Sequence, residues 1–91
     1  LGTRVSHSKV FIKQFGRIPK NLQVKIKMWV LELEAFGMRS VRLKKGYHDE
    51  PLQGNRWGQR SIRLNRSYRL IYKVIEEEVH ILILEVHKHD Y

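Results

Sequence analysis

The chain has 91 residues, 42% of them hydrophobic, enough for one core and too few for two. Cysteine is absent, which excludes disulfides, thiolate metal sites and a cysteine nucleophile. Lysine and arginine total 18 against nine acids, a formal charge of +9 that favours a polyanion, nucleic acid above all, or an acidic partner protein. No apolar run approaches the roughly 20 residues of a membrane span. No stretch has the layout of a signal peptide, so a cytoplasmic domain without membrane contact is expected.

In chain order, residues 3–7 read as a short first strand. Ser8 suits the N-cap of a helix over residues 9–15, stopped at Gly16. Pro19 fits the first turn of a second helix with residues 21–36 as its body and Gly37 after its end. Leu22, Ile26, Trp29, Leu33 and Phe36 recur at helical spacing as one apolar stripe, so Trp29 is assigned to the core. Residues 38–58 read as irregular, punctuated by Gly46, Pro51 and Gly54.

The period then changes to that of strands, over residues 59–64, 68–75 and 79–89, with short turns between them. Alternation sends Ile62, Leu64, Leu70, Tyr72, Val74, Leu82, Leu84 and Val86 toward the helices. Arg63, Arg69, Ile71, Lys73, Ile83, Glu85, His87 and His89 then share the other face. The expected fold is a single α+β domain over residues 1–91, two N-terminal helices packed on an antiparallel β-sheet.

Several chemistries find no support. No nucleophile elbow, phosphate-binding loop or dinucleotide fingerprint is present. The long helix carries mixed charge rather than the basic face of a DNA-reading helix. His87 and His89 share a strand face and could ligate a metal with Glu85 or Asp90 as third ligand, but the arginines around them disfavour a cation.

Metal-free RNA cleavage fits the open face better. It needs a base for the 2′-hydroxyl, fixed cations for the phosphorane and an acid for the leaving oxygen. Glu50, Arg63 with Arg69, and His89 have the matching side-chain types, and the scheme needs no cofactor and no metal. A solvated sheet face with polar residues is the plain alternative.

Residues 68–75, Tyr-Arg-Leu-Ile-Tyr-Lys-Val-Ile, and the hairpin running on to His89 resemble the last two strands of RelE toxins. Glu50-Pro51-Leu52-Gln53-Gly54-Asn55 is similar to a motif of YoeB toxins, and residues 58–65 to a stretch of HigB toxins. About the last 45 residues carry this resemblance to the RelE/ParE superfamily of type II toxin–antitoxin systems.

The resemblance implies a ribosome-dependent endoribonuclease, with Glu50 as general base and Arg69 as the arginine that stabilises the transition state. It makes Arg63 a phosphate contact and His89 the general acid, with His87 as the rival acid. Tyr91 would stack on or orient RNA, although Asp90 separates it from His89. Lys44, Lys45, Arg56, Arg60, Lys73 and Lys88 are expected to contact the RNA backbone, and Trp57 to stack on a base or anchor its loop. The implied partners are mRNA, the ribosome and an acidic antitoxin, and self-association is compatible with the family. Two rivals remain: a ParE-like gyrase poison without enzymatic activity, and a basic nucleic-acid-binding module without catalysis.

Overall fold

The computed structural model describes residues 2–88. Strand β1 (Arg4–His7) leads into α1 (Lys9–Phe15), α2 (Lys20–Phe36) and a short α3 (Met38–Arg42). A 3₁₀ turn at Lys45–Tyr47 precedes β2 (Glu50–Pro51), and a second at Gly54–Arg56 precedes β3 (Gln59–Arg63), β4 (Tyr68–Glu76) and β5 (His80–Lys88). The five strands form one sheet in the order β1-β5-β4-β3-β2. Strands β2 to β5 pair antiparallel, while β1 joins β5 in parallel, so the sheet is mixed.

The helices form where capping and apolar spacing agree. Ser8 Oγ accepts from Phe11 N at 3.0 Å, supplying a partner for an otherwise orphaned N–H at the start of α1. Leu22, Ile26, Trp29 and Leu33 of α2 are each at most 2% exposed. Trp29 packs tilted against Tyr72 of β4, with ring centroids 5.3 Å apart. Phe36 corrects the expected stripe, because it is 65% exposed. Gly37, at φ 86°, turns the chain out of α2, and the core position beyond the stripe goes to Met38 and Val41 of α3. Gly2 is required at its place, since a Cβ there would lie 1.7 Å from the Glu34 carbonyl oxygen.

The sheet places Ile62, Leu64, Leu70, Tyr72, Ile81, Ile83 and Val86 in the helix-facing core. On β5 this differs from strict alternation, which put Leu82 and Leu84 inside and Ile83 outside. Tyr72 pairs with Ile83 and Ile71 with Glu85, so Leu84 is an extra residue without a partner. That bulge shifts the strand's phase by one. Ile81 and Ile83 are inside before it, Val86 inside after it, and Glu85 and His87 emerge on the open face. The carbonyl freed at Leu84 accepts from the Ser8 hydroxyl, and Gln14 Oε1 accepts from Val86 N at 2.7 Å. Helix α1 therefore covers the edge of β5 where β1 ends.

Candidate functional site on the open face of the sheet

Residues paired across antiparallel strands share a face, so the register defines two rows on the open side. One row is Glu50, Ser61, Ile71 and Glu85, taken from β2, β3, β4 and β5. The next is Arg63, Arg69 and His87. Glu50, Leu52, Arg56, Ser61, Arg69, Ile71 and His87 line a cleft of about 360 Å³ over these rows. Ile71, 5% exposed, forms an apolar floor. The wall is the loop 52–58, folded beside the sheet edge.

Arg69 is held in two ways. Its Nη1 donates to Ser61 Oγ at 3.2 Å and stands 3.5 Å from Glu50 Oε1. The Glu50 side chain is 56% exposed, so its carboxylate meets solvent, whereas Arg69 is 17% exposed and mostly enclosed. A fixed guanidinium beside an accessible carboxylate is the layout that a proton acceptor and a phosphate clamp require.

The other end of the cleft is organised by Glu85. Its Oε2 accepts from Arg56 Nη2 at 2.9 Å, and its Oε1 lies 3.1 Å from His87 Nε2. Arg56 also donates through Nη1 to Gln59 Oε1 at 2.8 Å. One carboxylate thus ties the loop to β5 and orients the imidazole. Ser61 and Glu85 were not assigned these roles from the sequence. The signal for Ser61 was its alternation onto the face shared by Arg63, and Glu85 had been weighed only as a metal ligand.

The structure brings Glu50, Arg69 and His87 together, with Arg63 beside Arg69 in the same row. His89 and Tyr91 lie outside the described residues. Lys73 is exposed on the open face, Lys45 and Lys88 are exposed elsewhere, and Lys44 pairs with Glu32 at 3.1 Å. Arg60, expected as an RNA contact, is placed on the opposite face. It pairs across strands with Tyr72, and its Nε donates to Asp49 Oδ1 at 2.7 Å.

The Tyr72 hydroxyl donates to Asp49 Oδ2 at 2.6 Å, closing a buried triad. Burial pushes the Tyr72 phenol well above its usual range, and the adjacent Asp49 charge adds to this. For Arg60, burial acts downward but is outweighed by the Asp49 hydrogen bond and charge, so it titrates above the usual guanidinium range. This triad is a fastener behind β2, not a reagent. Among the described residues, no group of three His, Asp or Glu side chains comes together as a metal site, and no helix is long and apolar enough to cross a membrane.

No family model matches the chain, and no curated protein matches it by sequence. Solved structures do match. YafQ from E. coli strain BL21(DE3) aligns over 96% of this chain and 93% of that one, with TM-score 0.75 and 21% identity. The YoeB dimer from Staphylococcus aureus aligns over 100% of both chains, with TM-score 0.71 and 23% identity. Archaeal RelE in the RelE–RelB complex from Pyrococcus horikoshii OT3 aligns over 97% of this chain and 96% of that one, with TM-score 0.72 and 24% identity. The chain has the α+β fold of RelE-like toxins.

Proposed function

We propose that this protein is the toxin of a type II toxin–antitoxin pair, a cytoplasmic endoribonuclease that cuts mRNA on the ribosome. The observation that carries the reading is the convergence of Glu50, Arg69 and His87 on one cleft, in a fold shared with YafQ, YoeB and RelE. In this scheme Glu50 takes the 2′-hydroxyl proton, and Arg69 with Arg63 stabilises the charge that builds on the phosphorane. A histidine then protonates the leaving 5′-oxygen. The bond that forms joins O2′ to phosphorus and the bond that breaks is P–O5′, leaving a cyclic phosphate and a free 5′-hydroxyl. His87 is the histidine that lines the cleft, and His89 is its rival for the acid role.

The expected partner is an acidic antitoxin. The motivation is the +9 charge together with the complexes in which related folds occur, DinJ–YafQ and RelE–RelB. A segment rich in carboxylates laid over Arg63, Arg69 and Lys73 would occupy the phosphate path and silence the enzyme.

The test is cleavage of mRNA on purified translating ribosomes, with product ends mapped, for the wild type and for Glu50→Ala, Arg69→Ala, His87→Ala and His89→Ala. Cuts ending in cyclic phosphate, lost in Glu50→Ala and Arg69→Ala and in one histidine variant, are expected. Arrest of translation or of gyrase supercoiling by the wild type with no mRNA cut would overturn the proposal.

A further inference from the structure

On the far side of loop 52–58 from the cleft lies a second groove of about 440 Å³, and Leu52 borders both. Its wall includes Trp57, which is 82% exposed, the most exposed large hydrophobic side chain among the described residues. An indole this exposed presents an open flat face on which a planar ring can stack.

The charges in the groove say which part of a nucleotide fits. Arg60 is spent on buried Asp49, and Arg42 Nη1 stands 3.6 Å from Glu77 Oε1. Both guanidiniums already face a carboxylate, so a phosphate entering here gains little and meets Glu77. An uncharged ring does better. It can stack on Trp57 and offer its edge to the Gln53 amide, the Arg42 guanidinium and the Glu77 carboxylate, a set of donors and acceptors.

We infer that Trp57 and this groove form a subsite for an unpaired base of the substrate RNA, next to the nucleotides held in the cleft. The division of labour follows: the open face grips phosphate, and the groove across the loop grips a base. The inference rests on the endoribonuclease reading for its choice of RNA as ligand, but its test does not depend on cleavage.

The chain has two tryptophans, and Trp29 is only 1% exposed. Fluorescence quenching by an added ligand therefore reports Trp57. The experiment titrates Glu50→Ala protein, which leaves RNA uncut, with a short single-stranded RNA, with the same strand carrying abasic sites, and with inorganic polyphosphate. Base stacking predicts quenching by the intact strand only. In parallel, Trp57→Ala is expected to weaken binding of a fluorescein-labelled strand roughly 5- to 150-fold, the range for loss of one base–aromatic stack, whereas Trp57→Phe retains most of it. Abasic RNA should bind wild type and Trp57→Ala alike. Equal quenching by abasic RNA or polyphosphate, or no quenching at all, would overturn the subsite. Quenching by the intact strand, together with a wild type that never cuts mRNA on ribosomes, would leave the subsite standing and sink the enzyme reading instead.

Discussion

Asp49 and Glu50 are neighbours in the chain, yet their carboxylates end on opposite faces of the sheet, each beside an arginine. Asp49 is 3% exposed and holds Arg60 at 2.7 Å, with Tyr72 completing the triad. Glu50 is 56% exposed and stands 3.5 Å from Arg69. The side-chain chemistry is nearly the same, and access to solvent separates the roles. A buried pair that cannot be rehydrated acts as a fastener. A pair open to water contributes little to stability and remains available to a substrate.

The comparison is broken most strongly at the arginine of the open pair. Arg69→Ala is expected to reduce ribosome-dependent cleavage by about 10²- to 10³-fold, the usual effect of removing one donor aimed at transition-state charge. Single-turnover cleavage measures this, with circular dichroism confirming the fold. Next is the fastener. Asp49→Ala strands Arg60 and the Tyr72 hydroxyl and should cost about 3 kcal/mol in urea denaturation, near the lower end for breaking a buried pair because Arg60 keeps 20% exposure. A loss below roughly 1 kcal/mol would make the triad ordinary surface electrostatics.

Glu85→Gln sharpens the contrast within the cleft itself. It keeps the shape but weakens the grip on Arg56 and His87, so cleavage should slow about ten-fold from misplacement of the imidazole. Unchanged cleavage would remove Glu85 from the site. The smallest expected effect is on stability at the open pair, where Glu50→Ala should move the unfolding free energy by no more than about 0.5 kcal/mol. A large loss there would erase the distinction between the two faces.

Much of the fold was legible locally. The Ser8 cap, the bounds of α1, the four-residue buried stripe of α2 and the faces of β3 and β4 follow from spacing and capping alone. Even Arg60 was legible in principle, because it has the same parity as Ile62 and Leu64, both core residues. Its charge instead puts it among the expected contacts to the RNA backbone. Helix α3 and strand β2 were not legible, since elements of five and two residues carry no periodicity to detect. The phase of β5 failed for a different reason. A bulge inserts one residue without any mark in a run of Ile and Leu, so alternation places Glu85, Val86 and His87 correctly but inverts Leu82 and Ile83 on the other side of it.

The sequence by itself determined the layer pattern, the basic character and the residue types needed for phosphodiester chemistry, because helical and strand periods, capping and net charge are short-range properties. Only the tertiary structure decided which of those residues meet. Glu50 reaches Arg69 because a two-residue strand pairs with β3, and His87 meets Arg69 because β5 pairs with β4 in the register that sets those two residues opposite each other. Both depend on hydrogen-bond register between segments distant in the chain. Register is set by how the whole sheet packs on its helices, not by any window of sequence.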